Sequence, residues 1–408
     1  MQVTHFDVES LRKDFPLLNI SQGKNPYVYF DNGATSQKPQ VVIDRLKQYY
    51  DQENANVHRG VHQLSQISTD NFEESRRIVR RFLNAEYDHE IIFTAGTTNG
   101  INLVATSFGT MLSEGDEILI SELEHHSNIV PWQMLGHDKN LVLKYIPINN
   151  KGEWILDDIS DLITDKTKLI AVSHVSNSLG TINPVEKIIE EGKKFGAKIL
   201  VDGAQAIQHF KVDVQKLDCD FYVFSGHKVF GPTGTGILYG KESVLNAMPP
   251  YQGGGDMIKT VSMSGTVYNE LPHKFEAGTP NIAGVIGLGV AIEWFMSIDT
   301  EAVAAHENDL LVYAHEKLSE IEGIKIYGTS DKKCSLISFL VGDLHPYDVG
   351  TLLNQQGVAV RTGHHCTQPV MEYYGIPGTI RASFSLYNTK EEVDYFIKAL
   401  KRAIRMLS

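Results

Sequence analysis

Short apolar runs that stop abruptly in polar residues recur through the middle of the chain, and they set the first expectation. Residues 91–94, 117–120, 169–172, 199–201 and 221–224 each predict a buried strand. Helical patterns begin between them at Thr98, Ser127 and Pro184. Strands alternating with helices predict βαβ units and a mainly parallel sheet. The glycine-rich text 231–240, with Gly253-Gly-Gly255 beyond it, predicts a hairpin and loop on the edge of that sheet.

The flanks have a different texture. Val8, Leu11, Phe15 and Leu18 fall at helical spacing and predict a short docking helix that Pro16 ends. A strand at 27–30 runs into the polar turn 31–36, then a helix from Pro39 through Tyr50. The polar stretch 54–65 holds His58, Arg59 and His62, and a helix at 69–83 presents Phe72, Ile78, Val79 and Phe82 on one face. A long helical pattern runs from 284 through 298 and on to 321. Beyond Gly323 come strands at 325–327, 336–340, 358–360 and 380–383, with helices at 346–356 and 390–407, the pattern of a smaller α+β domain. The expected organisation is an N-terminal segment over 1–25 that packs on the small domain, a large domain over 26–298, and a small C-terminal domain over 299–408.

Composition narrows the function more than the fold. At 408 residues, 42% hydrophobic and 21% charged, the chain has the make-up of a globular protein with room for a sizeable buried site. A formal net charge of −13 with no long basic run argues against nucleic acid as a partner. No apolar run reaches the ~18 residues of a membrane span, and the N-terminus lacks the apolar core of a secretory signal, so the expectation is a cytoplasmic protein without membrane contact. Cys219, Cys334 and Cys366 make an odd count without CxxC spacing, which disfavours a disulfide framework or a zinc cage.

Two strand ends offer opposite charges to one space. Val201-Asp-Gly-Ala-Gln205 leaves one apolar run and Phe224-Ser-Gly-His-Lys228 leaves the next, and ligands of open α/β sheets bind outside the carboxyl ends of the strands. A carboxylate there is costly without a partner, and a pyridinium N–H would supply one. Desolvation would depress the Lys228 pKa and favour the free amine that a Schiff base needs. The pair suits pyridoxal 5'-phosphate, although most lysines in turns are simply solvated. Ala95-Gly-Thr-Thr98, between a strand and a helix, has the form of a phosphate seat, though capping explains it equally. His125 has the shape to stack on a planar cofactor, Asn177 to bond a ring hydroxyl and Gln205 to reach the ring oxygen, while loop and turn chemistry accounts for the first two equally well. Arg361-Thr-Gly-His-His-Cys366 invites a metal reading, but successive residues point apart and no second ligand cluster lies near in sequence. A thiol with Gly, His and Arg neighbours favours thiolate chemistry instead, and no metal is expected.

Taken in order, Tyr29-Phe-Asp-Asn-Gly-Ala-Thr35, Asn56-Val-His-Arg-Gly-Val-His62, Phe93-Thr94 with Gly96-Thr-Thr98, Glu124-His-His-Ser-Asn128, Val201 to Gln205, Ser225-Gly-His-Lys228, Gly253-Gly-Gly255, Phe275-Glu-Ala-Gly-Thr-Pro-Asn281 and Arg361 to Cys366 resemble the Suf-type (group II) cysteine desulfurases and selenocysteine lyases of the class V aminotransferase family. The resemblance implies a fold-type I pyridoxal-phosphate-dependent transferase, α/β, with a mainly parallel seven-stranded sheet in the large domain and a smaller α+β C-terminal domain. It implies Lys228 as the cofactor's lysine, Asp202 at the pyridinium nitrogen, His125 stacked on the ring, and Gln205 and Asn177 at the ring oxygen. Thr97, Thr98, Ser225 and His227 would hold the phosphate, and Thr279 would reach the phosphate of the other subunit of a homodimer. Arg381 would grip the substrate carboxylate, with Asn177, Arg361, His58 and Arg59 near the substrate. Cys366 would carry a persulfide drawn from L-cysteine or selenocysteine, with His125 moving protons, and would pass sulfur to a SufE or SufU type acceptor for iron–sulfur cluster assembly. Ala95, Asn99 and Gly33 depart from the family's usual Arg, Glu and Ala. An aminotransferase or a kynureninase-like lyase would need Lys228 and Asp202 but not Cys366. A metal-binding scaffold using His364, His365 and Cys366 would need neither.

Overall fold

The computed structural model describes residues 6–23 and 25–408. Seven strands form the central sheet: β1 (Ile91–Thr94), β2 (Glu117–Ser121), β3 (Val142–Ile146), β4 (Thr167–Ser173), β5 (Lys198–Asp202), β6 (Phe221–Ser225) and β7 (Gly236–Gly240). Their order is β1-β7-β6-β5-β4-β2-β3. Successive side chains of a strand face opposite sides, and both sides here are apolar. Ile170, Val172, Ile199 and Val201 pack into one hydrophobic cluster. Leu169, Ala171 and Leu200 pack into the cluster across the sheet. The strands therefore appear in the sequence as unbroken apolar runs.

Two parts of the sheet differ from the expectation. Residues 236–240 do not form an edge hairpin; β7 runs antiparallel between β1 and β6. Ile237 and Leu238 have no exposed surface and Tyr239 only 3%, which requires cover on both faces. The far edge is instead β3, which no apolar run announces because Val142 and Tyr145 face solvent. The helices after the strands are α1 (Gln63–Leu83, before β1), α2 (Thr97–Ser107), α3 (Val130–Lys139, after a 3-10 turn at His126–Asn128) and α4 (Val185–Lys194).

The long helical pattern breaks into α5 (Ile282–Met296) and α6 (Thr300–Ser319), which meet at 83°. Asp299 causes the break by accepting from the amides of Glu301 and Ala302, so a new helix starts there. Among the described residues no single helix is long and apolar enough to cross a membrane. Near the N-terminus the helix is only Val8–Arg12; Pro16 opens a 3-10 turn, Pro16–Asn19, where its missing N–H costs nothing. Phe15 lies against Phe230, Trp294 and Tyr387.

After an exposed hairpin, β8 (Ile258–Ser262) and β9 (Gly265–Tyr268), the C-terminal part contains β10 (Ile324–Tyr327), β11 (Leu336–Val341), β12 (Val358–Ala359), β13 (Arg361–Gly363) and β14 (Thr379–Ser383), four of which build a second sheet. The antiparallel order is β10-β11-β14-β13. β12 stands apart and pairs in parallel with Val28–Tyr29. Helices α7 (Pro346–Gln355), α8 (Gln368–Tyr374) and α9 (Lys390–Leu407) complete it. Its core joins Leu310, Phe339, Phe384 and Phe396 to Val28 and Phe30, so residues 28–30 pack with the C-terminal sheet although the large domain was expected to start at 26.

One buried cation ties α1 to the main sheet. Arg76, 1% exposed, donates to both carboxylate oxygens of Glu276, to Glu73 and to the Ile91 carbonyl. The amide of Phe93 also donates to Glu276, at 2.7 Å. Removing one partner of such a pair leaves an uncompensated buried charge. Arg76→Met is expected to lower unfolding free energy by about 3–5 kcal/mol in urea titrations followed by circular dichroism, with Glu276→Gln added to it restoring part of the loss.

Candidate active site

The ends of β5 and β6 are locked together before any ligand is considered. The amide of Gly203 donates to the Val223 carbonyl at 2.8 Å, and a Cβ at 203 would lie 2.1 Å from the Tyr222 ring. Only glycine lets the chain turn there, so Asp202 stays beside the turn Gly226–Lys228 that leaves β6. The resulting cavity, about 290 Å³, lies at the carboxyl ends of the strands. It is lined by Asp202, Gln205, Ser225, His227 and Lys228, by Thr97, Thr98, His125 and Asn177, and by Arg361, His365, Cys366 and Arg381 of the C-terminal sheet and its turn. Asp202, Ser225, His227, Lys228 and His125 come from ends of the main-sheet strands or the turns beyond them, as an open α/β sheet dictates, whereas Arg381 projects from the middle of a strand of the C-terminal sheet.

At one end hydroxyls and amides gather. Gly96, at φ 146°, precedes α2, and the Thr97 amide and hydroxyl both meet Ser225 Oγ at 2.8 Å. Thr98 Oγ1 meets Ser127 Oγ at 2.7 Å. A helix N-terminus with hydroxyls on it attracts an anion. The His227 carbonyl is held by Lys38 Nζ at 3.0 Å. Burial pushes the His227 imidazole down to about 4, with Lys228 and Lys38 adding to it, so the ring is neutral near pH 7.

At the centre, Asp202 is 5% exposed and its carboxyl pKa is raised by burial, opposed by the Ala204 amide and by Lys228. Lys228 opens to the cavity but is surrounded by protein, and burial takes its amine down to about 8 against the pull of Asp202. His125 is driven to about 3 by burial, then by Lys228, and is a neutral ring. Its Nδ1 accepts from the Ser127 amide at 3.0 Å, so its proton is on Nε2.

At the mouth, Arg381 is 2% exposed and donates to the Asn177 carbonyl at 2.6 Å and to Asp31 at 3.4 Å. Its Nε has no partner among the described residues. Asn177 Nδ2 donates to the His365 carbonyl at 2.7 Å, and Gln205 Nε2 donates to the Gly33 carbonyl at 2.7 Å. Residues 361–363 form β13 on the edge of the small sheet. His365 and Cys366 then take φ of 51° and 57°, a left-handed turn that buries His365 against Thr379 and leaves Cys366 exposed. Cys219 and Cys334 are buried.

His58, Arg59 and Thr279 are not brought into this cavity. His58 bonds Glu73 at 2.9 Å, Arg59 pairs with Asp256 at 2.7 Å, and Thr279 is exposed on the segment after Glu276. A methyl at Gly33 would sit 3.2 Å from the Arg381 guanidinium, so glycine there gives that side chain its room. Asn99 Oδ1 accepts from the Ala95 amide at 3.1 Å, and both lie outside the cavity wall.

The family model described as aminotransferase class-V matches residues 28–396, which include every strand of both sheets. The chain belongs to the aminotransferase class-V family. Among its relatives it is 50% identical over 398 residues to a cysteine desulfurase of Synechococcus elongatus and 49% identical over 397 residues to a probable cysteine desulfurase of Halalkalibacterium halodurans. Those matches cover 97% of this chain; the chain spans 64% of the first relative's length, 98% of the second's, and no more than 65% of two further relatives. The solved apo structure of a cysteine desulfurase from Thermococcus onnurineus superposes with a TM-score of 0.93 at 42% identity, over 97% of this chain and 98% of that one.

As a class-V aminotransferase fold the site fits pyridoxal phosphate on its own observations: a hydroxyl-lined helix N-terminus, a buried carboxyl in need of a cation, and a lysine held near its free-amine form. Two contributors had no separate signal in the sequence. Glu124, with no exposed surface, accepts from Asn128 Nδ2 at 2.6 Å and the Ser173 amide at 3.0 Å, tying β2 to β4 beneath His125; burial raises it to about 7. Asp31 binds Arg361 with both oxygens as well as Arg381. Both lie inside the motifs 29–35 and 124–128, but the partners Ser173 and Arg361 are distant along the chain. Because the Lys228 pKa lies near 8, below the ordinary 10.5, the reactive amine is present above that pH and protonated below it. In cofactor-free protein the absorbance-monitored rate of imine formation with added pyridoxal phosphate is expected to rise with pH and level off above about 8. A rate still climbing toward pH 10 would place the amine at its ordinary value.

Proposed function

We propose that the protein is a pyridoxal-phosphate-dependent cysteine desulfurase that converts L-cysteine to L-alanine and takes the sulfur as a persulfide on Cys366. The observation that supports it most is the exposed Cys366 thiol on the wall of the same cavity as Lys228 and Asp202. An aminotransferase or a kynureninase-like lyase has use for the lysine and the acid, but none for that thiol. The relatives named cysteine desulfurase, at about half identity over nearly the whole chain, support the same reading.

When bound, pyridoxal phosphate supplies the electron sink for the pair left at the substrate Cα. Lys228 would hold it, and the Lys228 amine would serve as the base that takes the Cα proton and returns one. Asp202 would hold the ring nitrogen and, as a carboxylate, favour a proton there. Arg381, with its unpartnered Nε, receives the substrate carboxylate, helped by Asn177. His125, neutral and protonated on Nε2, would stack on the ring and could move the thiol proton. Cys366 Sγ attacks the substrate sulfur; an S–S bond forms, the C–S bond breaks, and Cβ keeps the electron pair and takes a proton.

The same site would accept selenocysteine, whose lower pKa eases the cleavage. A second copy of the chain would bring its Thr279 to the phosphate, and a SufE or SufU type acceptor would take the sulfur from the exposed turn for iron–sulfur cluster assembly.

Cys366→Ala is expected to keep the bound cofactor's absorbance and its spectral change with L-cysteine, while alanine and sulfide release in the presence of a reductant fall by about a hundredfold or more. Desulfuration retained in that variant would favour a lyase or another nucleophile.

A further inference from the structure

The sequence set His364, His365 and Cys366 side by side, an unpromising arrangement for a metal. The fold changes it in two ways. The left-handed turn sends His365 inward, where its Nε2 meets Thr379 Oγ1 at 2.8 Å, and leaves His364 and Cys366 on the outer side. The turn after β2 then brings His126 to them. The His126 amide donates to the Cys366 carbonyl at 2.8 Å, and the His126 and His364 rings lie 5.5 Å apart. One nitrogen of each ring and Cys366 Sγ all fall within 4.8 Å of one another.

We propose that His126, His364 and Cys366 form a capture site for one thiophilic divalent cation, of which Zn²⁺ is the simplest case. Two imidazoles and a thiolate are a borderline-soft set that suits Zn²⁺, and three protein ligands leave its fourth position open to water or another thiol. Bonds of about 2.3 Å to sulfur and about 2.0 Å to nitrogen hold tetrahedral ligand atoms roughly 3.5 Å apart. The trio therefore closes by roughly an ångström, which an exposed turn allows. Closure has an identifiable cost. His364 Nδ1 accepts the Cys366 amide and His126 Nε2 accepts the Gln368 amide, each at 3.1 Å, and a bound cation takes lone pairs those contacts now use. Binding also releases the thiol proton to solvent.

A thiolate held by the cation is withdrawn as a nucleophile, so occupancy would stop sulfur transfer until a chelator or a competing thiol removed the metal. That consequence rests on the function proposed above; the cation site itself does not. The site spans both sheets, since His126 follows β2 and the other two ligands follow β13, so a bound cation would also pin the Cys366 turn over the cavity.

The test uses the cofactor-loaded protein and iodoacetamide, with alkylation of Cys366 followed by mass spectrometry; Cys219 and Cys334 are buried. One equivalent of Zn²⁺ is expected to slow Cys366 alkylation about tenfold or more, EDTA to reverse it, and His126→Asn or His364→Ala to raise the Zn²⁺ needed by about tenfold or more. Asparagine at 126 keeps an acceptor for the Gln368 amide, and the cofactor's absorbance reports that each variant is folded. No protection, or equal protection in wild type and both variants, overturns the proposal. Alanine release from L-cysteine without added metal is scored in parallel. Its absence with zinc protection intact would overturn the desulfurase reading and leave the cation site standing.

Discussion

The buried guanidinium of Arg381 is the constraint from which the rest of the cavity follows. It sits on β14 of the C-terminal sheet, where water cannot solvate it, so it must find acceptors in protein. It finds the Asn177 carbonyl beyond β4 and the Asp31 carboxylate of the N-terminal turn. The Asn177 side chain then binds the His365 carbonyl. One residue beyond β4, Asn177, thus holds both the buried Arg381 guanidinium and the base of the thiol-bearing turn. Loss of that seam would separate Cys366 from Lys228 without touching either.

Charge follows from the same placement. Arg381, Arg361 and Lys228 face the cavity with Asp202 on its wall and Asp31 behind them. Arg381 depresses Lys228 along with burial, and burial lowers Arg381 itself to about 10 although Asp31 opposes it. Cations crowded with few counter-charges suit a ligand that carries a phosphate and a substrate that carries a carboxylate. The neutral histidines, His125 and His227, add hydrogen bonds and a stacking surface without adding charge.

The chemistry and its delivery are separated in the fold. The rigid part, Asp202 through Lys228, lies at the ends of strands that are buried on both faces. The thiol is on an exposed left-handed turn at the edge of the smaller sheet. An exposed turn is open to a partner, as the proposed sulfur transfer requires, whereas a buried strand end is not. The same exposure leaves Cys366 open to a thiophilic metal, with His126 and His364 already close.

The sequence by itself determined the elements whose physics is local. Continuous apolar runs in β1, β2, β4, β5 and β6 announced strands buried on both faces, and the polar residues ending them, Asp202 and Lys228 among these, announced where a ligand sits. The order of motifs carried the family. What it could not determine depends on partners distant along the chain. β3 lacked an apolar run because it is an edge, β7 did not declare itself an inner strand because its second neighbour, β1, lies more than a hundred residues earlier, and Asp299 divided a helix whose apolar pattern was continuous. His126 and Asp31 gained their significance only through residues some two hundred to three hundred and fifty positions away. Periodicity records which face of an element is buried; which face it meets is settled by packing, and only the tertiary structure holds that.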